Sequence, residues 1–197
     1  MASAVLTDQA LDTIFRTART ANGWQDKPVS TELLRQIHDL MKFGPTAANS
    51  CPLRILFLQS PEAKARLKPF LMESNVEKTM AAPAVALLAM DMQFHEHLPF
   101  LFPHTDAKAW YAGNDALIAE TAFRNSSLQA GYFILAARAL GLDCGPMSGF
   151  DAGGVNGEFF ADGRFKVNFI CNLGYADHSK TFGRSPRFGF DDVAKVL

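Results

Sequence analysis

The sequence predicts a single α+β domain in which layers of helices cover a small sheet. Its 197 residues suit one domain with one sizeable core. Hydrophobic residues make up 48% of the chain and charged residues 20%, a balance that excludes an intrinsically disordered protein. Segments with helical periodicity are mixed with a few short apolar segments typical of strands, and this combination favours three layers.

Two amphipathic helices are predicted near the start of the chain. Apolar residues between positions 11 and 18 lie at helical spacing after the candidate cap Thr7, which predicts a helix over 8–20. A second helix begins after the cap Ser30 and runs through Met41. Gly44-Pro45 ends it, because glycine suits a helix end and proline cannot continue the turn.

Short apolar segments predict two strands in the middle of the chain, with a helix between them. The first strand covers residues 55–58, and residues 84–89 predict a buried strand because they are apolar and follow a proline. Ser60-Pro61-Glu62 is typical of a helix start, since it offers a cap, a proline at the first helical position and an acid in the first turn.

A long helix is predicted over residues 115–140, and Gly141 ends it. Helical spacing predicts an apolar face made of Leu117, Ala122, Leu128, Tyr132 and Leu135.

Residues 165–173 alternate, which predicts a strand whose two faces differ in polarity. The apolar face carries Phe165, Val167, Phe169 and Cys171, and the more polar face carries Lys166, Asn168, Ile170 and Asn172. Residues 92–108 are rich in aromatic and histidine residues without a clear period, and the tail from Gly174 is irregular. A long segment without secondary structure in a compact domain is often functional.

Composition excludes several classes of protein. A formal charge of −1 argues against a nucleic-acid binder. Cys51, Cys144 and Cys171 form neither a disulfide framework nor a CxxC motif, which favours a reducing cytoplasm. The start lacks the features of a signal peptide, and the apolar run 81–90 is too short to span a bilayer. We therefore expect a soluble cytoplasmic protein.

Common nucleotide and metal motifs are missing from the sequence. It contains neither GxGxxG nor GxxxxGK[ST], and Gly145 to Gly149 does not have the spacing of a nucleophile elbow. His95-Glu96-His97, with His104 and Asp106 nearby, lacks a convincing remote ligand. Exposed loop histidines are the preferred interpretation, so no metal site is predicted.

Five short motifs, each unremarkable alone, occur in an order that resembles the flavin-binding pattern of the nitroreductase family. The resemblance covers nearly the whole chain. The motifs are Arg19-Thr20-Ala21-Asn22-Gly23-Trp24 followed by Pro28-Val29, Pro45-Thr46-Ala47-Ala48-Asn49 with Pro52, Asn75-Val76-Glu77-Lys78, the turn from Gly145 through Asp151, and Arg184-Ser185-Pro186.

Segments 98–104, 120–127 and 145–151 further resemble one branch of this family, the malonic semialdehyde reductases (3-hydroxypropionate dehydrogenases) of bacterial pyrimidine catabolism. The resemblance implies a nitroreductase-like α/β/α sandwich with a small mixed, mainly antiparallel sheet and a long central helix. It also implies an FMN cofactor, NADH or NADPH as electron donor, and a homodimer with flavin sites at the subunit interface.

The family pattern assigns roles to residues of this chain. It places Arg19 and Arg184 at the FMN phosphate and Lys78 at the electron-rich edge of the ring, where a cation favours the reduced flavin. Neutral hydrogen bonds are implied for Thr20, Asn22 and Asn75, and close main-chain approach to the ring for Pro146, Met147, Ser148 and Gly149. Pro45, Thr46 and Asn49 are implied to reach the flavin of the partner subunit.

This chain departs from the family pattern at two positions, and the pattern does not identify a catalytic side chain. Many members have an acidic residue where this chain has Ser148, and a basic residue near Asn22, so one positive charge is missing here. No catalytic side chain is predicted, because the flavin is the reactive group. His104 is the candidate proton donor or lid residue, and Phe94, Phe100 and Phe102 fall in the same suspected lid.

Four functions follow from the sequence. The leading one is reduction of malonic semialdehyde to 3-hydroxypropionate by ping-pong hydride transfer through FMN. A broad nitroaromatic or quinone reductase on the same scaffold is its closest alternative. The others are a non-catalytic flavin-binding module and a metal-dependent hydrolase built on the histidine segment.

Overall fold

One antiparallel sheet of four strands lies at the centre of the computed structural model, which describes residues 4–197. The strand order is β1-β2-β4-β3, so that β1 and β3 are the edges. A mixed sheet was expected, but every strand pairing is antiparallel, and the parallel contact seen within 4–197 is an isolated bridge between Thr20 and Cys144. The strands are β1 (Leu53–Leu58), β2 (Ala84–Asp91), β3 (Asp143–Met147) and β4 (Phe165–Gly174).

Helices cover both faces of this sheet, which confirms the predicted three-layer α+β class. On one face, α2 and α6 bury Ile37 and Phe133 against the sheet. On the other, α3 and α7 bury Leu67 and Val155. Within residues 4–197 the α-helices are α1 (Asp8–Leu11), α2 (Thr31–Met41), α3 (Pro61–Leu67), α4 (Glu73–Met80), α5 (Leu98–Leu101), α6 (Asp115–Ala139), α7 (Ala152–Phe159) and α8 (Phe190–Val193). None of them is long and apolar enough to cross a membrane.

Strong local signals predicted several helix ends correctly. The side chains of Thr7, Ser30 and Ser60 each accept a main-chain N–H at the start of a helix. The first helix is nevertheless shorter than the predicted 8–20, because it widens into a π-type turn over Asp12–Arg16 and then ends. The chain leaves the helix there and becomes extended, so that Thr20 can pair with β3.

The bounds of the long helix agree with the prediction, but its predicted apolar face is only partly correct: Ala122 is buried and Leu117 and Tyr132 pack against the core. Leu128 is 44% exposed, whereas Asn125 and Gln129 are buried. These two side chains accept the main-chain N–H groups of Ala47 and Leu53 at 2.8 and 2.9 Å. The helix therefore faces a loop and a strand start whose N–H groups need acceptors, which spacing of apolar residues does not reveal.

A β-bulge interrupts the predicted alternation of β4. Leu88 pairs with Phe169 and the next residue, Ala89, pairs with Val167, so Asn168 is the extra residue. Val167 consequently packs with the core on the α3 and α7 face, whereas Phe169 packs on the α2 and α6 face. The expected common face of Phe165, Val167, Phe169 and Cys171 is thus wrong.

Three elements and one segment were not predicted correctly. Strand β3 contains Gly145-Pro146, which a sheet tolerates at an edge. Helix α4 has no side-chain cap at its start, so the sequence offers no signal for it. Near its end, the ammonium of Lys64 from α3 donates to two main-chain carbonyls, each at 2.8 Å. Burial of this ammonium lowers the pKa of Lys64. Helix α7 contains three glycines. Residues 92–108, expected to lack structure, include a 3-10 turn over Phe94–His97 and α5.

Candidate functional site

Arginines from three parts of the chain surround a cavity of about 290 Å³ beside edge strand β3. We call it the basic cavity. Two of its residues, Arg19 and Arg184, were predicted from sequence to lie together, and the structure brings them together. The polar side chains at the cavity are Arg19, Thr20, Asn22, Arg138, Arg184, Ser185 and Arg187.

Main-chain contacts fix the wall of the basic cavity. The N–H of Ala21 donates to the carbonyl of Cys144 at 2.9 Å, which joins the segment after α1 to β3. A Cβ atom at Gly145 would lie 2.8 Å from the carbonyl oxygen of Ala21, so this approach needs glycine. The close packing places Thr20 and its neighbours against the sheet edge.

The arginines also hold the end of the first helix. Arg138 donates to the carbonyl of Ile14 at 3.1 Å, and Arg184 donates to the carbonyls of Arg16 and Ala18. Arg19 donates to the carbonyl of Phe182 in the tail. A guanidinium has five N–H donors, so each arginine retains donors for a ligand.

The charge of the basic cavity suits an anion. Four guanidinium groups surround it, and among the described residues that form it there is no carboxylate. Charge-assisted hydrogen bonds from several arginines are typical of phosphate sites. Sequence reasoning missed Arg138 and Arg187, which supply the positive charge that Asn22 lacks. A cation in the last turn of a helix is common, so no sequence signal distinguished Arg138.

A second group of predicted residues lies where α4 meets the end of β3. The amide of Asn75 and the N–H of Met72 both donate to the carbonyl of Gly149, at 2.8 and 3.1 Å. A Cβ at Gly149 would lie 2.6 Å from the Asn75 amide nitrogen, so a larger residue there would displace the Asn75 side chain. Ser148, between Met147 and Gly149, is exposed. The Asn75 amide thus holds the 147–149 turn instead of being fully free for a ligand.

Lys78 lies on α4 in the same group. The indole N–H of Trp24 donates to its main-chain carbonyl at 2.8 Å, which links α4 to the segment that forms the basic cavity. The half-buried side chain of Lys78 has no carboxylate partner within ion-pair distance among residues 4–197. It therefore offers a cation that the fold does not otherwise use.

Strand β3 joins the two groups into one elongated site. Cys144, at one end, lies against the basic cavity, and Met147 begins the 147–149 turn three residues along, which is about 10 Å of strand. One end of this site is the strongly cationic basic cavity. The other end contains Lys78 and the 147–149 turn, whose main chain packs closely against Asn75 of α4. The predicted residues that the structure places in these two groups are Arg19, Thr20, Asn22, Asn75, Lys78, Pro146, Met147, Ser148, Gly149 and Arg184.

Pro45, Thr46 and Asn49 are not brought to that site. They lie in the 44–52 loop before β1, the opposite edge strand, and three strand spacings of the sheet amount to about 14 Å. Ala48, Asn49 and Cys51 have φ between 41° and 49°, a left-handed conformation that is strained for these residues. Strain of this kind is typical of functional loops.

The suspected lid lies beside the 44–52 loop. The Asn49 amide donates to the carbonyl of Leu101 at 2.9 Å. Phe100 is 86% exposed, and the rings of Phe102 and His104 meet edge to face at 5.3 Å. Phe94, in contrast, is fully buried in the core and is not a lid residue.

The histidine segment shows no metal site. Within residues 4–197, no three histidine, cysteine or acidic side chains lie close enough to hold an ion. His97 instead lies 2.9 Å from Arg164 and 3.7 Å from Asp91. The described residues give the metal-dependent hydrolase no support.

Known proteins resemble this chain along nearly its whole length. A sequence model described as "Nitroreductase family" matches residues 7–175. A Burkholderia lata protein with the provisional name NADH dehydrogenase/NAD(P)H nitroreductase is 63% identical over 97% of this chain and 98% of its own length. A Ralstonia nicotianae protein with the same provisional name is 56% identical, covering 98% of each chain.

Solved structures share the fold at low sequence identity. A Bacillus subtilis nitroreductase has a TM-score of 0.88 at 22% identity and covers 97% of this chain and 100% of its own. An Exiguobacterium sibiricum nitroreductase, described in complex with FMN, has a TM-score of 0.84 at 20% identity and covers both chains fully.

Proposed function

The chain belongs to the nitroreductase family, and from this premise we propose that it is an FMN-dependent NAD(P)H oxidoreductase. The observation that carries the proposal is the elongated site along β3. It combines a basic cavity without carboxylates at one end, next to the closely packed Gly145, with Lys78 and the 147–149 turn toward the other. FMN has a phosphate dianion at one end and a flat ring with polar edges at the other.

The residues present fit this cofactor. Arg19, Arg138 and Arg184 would bind the phosphate through charge-assisted hydrogen bonds. Lys78 would place its ammonium at the polar edge of the ring, and the 147–149 turn, in which Ser148 is exposed, would offer its main chain to the ring. Bound FMN supplies two-electron transfer between a nicotinamide and a second substrate.

The proposed enzyme is a homodimer in which the 44–52 loop serves the partner's flavin. The separation of this loop from the β3 site supports that arrangement, because the two lie at opposite edges of the sheet, about 14 Å apart. Exposed apolar side chains on α6 and before the loop, and in the tail, also support a buried interface: Phe43, Phe123, Leu128, Phe182 and Phe188. In such a dimer, His104 and Phe100 lie over the site formed by the partner's β3.

Two substrate classes fit the proposed enzyme. Malonic semialdehyde, which the resemblance favours, carries a carboxylate and needs a cation. Two cations within or against the 92–108 segment are engaged, Lys108 with Glu96 and Arg164 with Asp91. The aromatic edges of Phe102 and Trp110 favour a flat nitroaromatic or quinone instead. Relatives named as nitroreductases support the same class.

Purification tests the cofactor and the assembly together. We expect a yellow protein with the mass of two chains and one FMN per chain, whose flavin is bleached anaerobically by NADH or NADPH. Absorbance spectra and light scattering measure both properties. A colourless protein that binds no added FMN would contradict the proposal. A yellow protein that neither nucleotide reduces would support the non-catalytic flavin-binding module.

Steady-state kinetics tests the substrate. If the enzyme is a malonic semialdehyde reductase, kcat/KM for this aldehyde should exceed that for a nitroaromatic compound under the same NAD(P)H concentration. A strong preference for the nitro compound would instead establish the broad reductase. Initial rates with both substrates varied should give the parallel lines of ping-pong kinetics in either case.

A further inference from the structure

Three buried or half-buried side chains form a row of polar contacts next to the end of the site where the flavin ring is proposed to lie. Asn172 of β4 is 0% exposed, and its amide nitrogen donates to the Thr79 hydroxyl at 3.1 Å. The same hydroxyl lies 3.5 Å from the sulfur of Met147. The amide oxygen of Asn172 has no hydrogen-bond partner among the described residues.

Inverting the amide does not remove the unpaired atom. If the Asn172 oxygen faced Thr79, the hydroxyl would donate to it and could no longer donate to the Met147 sulfur. The amide nitrogen would then be the atom without a partner. A fully buried polar group without a partner costs free energy in either orientation, so stability alone does not account for an asparagine here.

These three side chains lie next to the residues of the proposed flavin site. Thr79 follows Lys78 on α4, and Met147 begins the 147–149 turn at the end of β3. Asn172 pairs with Gly145 in the sheet, so it lies beside β3 on the neighbouring strand. The three side chains therefore set the separation between the two elements that approach the ring.

We propose that Asn172 and Thr79 are positioning residues, which hold Lys78 and the 147–149 turn at the separation that flavin binding needs. This inference rests on the proposed flavin site. Neither residue needs to touch the flavin, because each acts through its neighbour: Thr79 through Lys78 on the same helix, and Asn172 through Thr79 and β3.

The decisive variant replaces both residues by apolar groups of similar shape, Thr79→Val with Asn172→Leu. Removing both partners together leaves no orphaned group, so the chain should fold as well as the wild type. If the pair only fills the core, FMN binding should also be unchanged. If it positions the site, the FMN dissociation constant should rise about tenfold.

Matched variants make the test specific. Asn168→Leu removes another β4 amide, which bonds to Ser126 and Ser127 on the opposite face of the sheet, and it should leave FMN affinity unchanged. Thr79→Ser keeps the hydroxyl and should retain wild-type affinity. Thr79→Val alone provides a second measurement if the double variant does not fold.

Dilution of each holoenzyme, followed by the fluorescence of released FMN, measures the dissociation constant, and circular dichroism confirms folding. The midpoint potential of the bound FMN, measured by anaerobic dye titration, reports the ratio of reduced to oxidised affinity and should also change, which core packing alone would not alter. If the double variant Thr79→Val, Asn172→Leu binds FMN within twofold of the wild type, the inference is overturned. The proposed function as a flavoenzyme would not be affected by that result. A wild-type chain that binds no FMN would overturn both proposals.

Discussion

Replacing Asp91 by alanine is expected to lower the free energy of unfolding by about 3–5 kcal/mol, the largest stability loss we expect from a single side chain. Asp91 is 0% exposed at the end of β2. Its carboxylate accepts from Arg54 at 2.7 Å and from Arg164 at 3.0 and 2.9 Å. The alanine variant would leave two arginines facing each other around a buried void.

The same carboxylate predicts a pH dependence. Burial opposes ionisation of Asp91, but hydrogen bonds from Arg164 and the N–H of Gln93, together with the charge of Arg54, outweigh it and lower its pKa below the ordinary 3.8. A depressed pKa in the folded state stabilises the fold above the ordinary value, and this contribution disappears as pH falls through the folded-state pKa. The stability difference between wild type and Asp91→Ala should therefore shrink below pH 3.8.

Asp39→Ala is the matched control. Asp39 also lies 2.7 Å from a cation, Lys42, but its side chain is 62% exposed. An exposed ion pair contributes little to stability because water and salt screen it, so this variant should unfold almost as the wild type does. Urea unfolding at a fixed excess of FMN compares the two. Equal losses in both variants would show that burial of Asp91 does not decide its contribution.

Local signals predicted much of this fold. Caps at Ser30 and Ser60 and the apolar run that became β2 depend on neighbours within a few residues, and the structure agrees with them. The buried face of α6 depends on distant N–H groups instead, since Asn125 and Gln129 serve the 44–52 loop and β1. The bulge at Asn168 likewise depends on pairing with β2. Hydrogen bonds and strand pairings between residues far apart in the sequence leave no periodic pattern in it.

The candidate site likewise contains residues that the sequence predicted and residues that it did not. Motif order placed Arg19 and Arg184 in one site although they lie near opposite ends of the chain, and the basic cavity contains both. It could not identify Arg138, whose position depends on where the end of α6 passes the π-type turn Asp12–Arg16. Nor could it show that Asn75 is occupied by the carbonyl of Gly149, because that contact depends on how α4 packs against β3.

The basic cavity carries the second large prediction. Arg19→Ala and Arg138→Ala should each raise the dissociation constant of FMN about 10–100-fold, because each removes charged hydrogen bonds to the phosphate. Riboflavin has the same ring without the phosphate, so its affinity should hardly change in either variant. Lys78→Ala should weaken both ligands alike, because its partner is the ring.

Comparing the two ligands separates loss of a contact from loss of structure. Arg19 and Arg138 also bind main-chain carbonyls, so general damage to the site would weaken riboflavin as much as FMN. Arg66→Ala, in which an exposed arginine loses its pair with Glu158 away from the cavity, controls for the change of net charge. Flavin fluorescence titrations measure all four variants. Equal weakening of FMN and riboflavin by Arg138→Ala would remove this arginine from the phosphate site, and the charge missing at Asn22 would then have no substitute on α6.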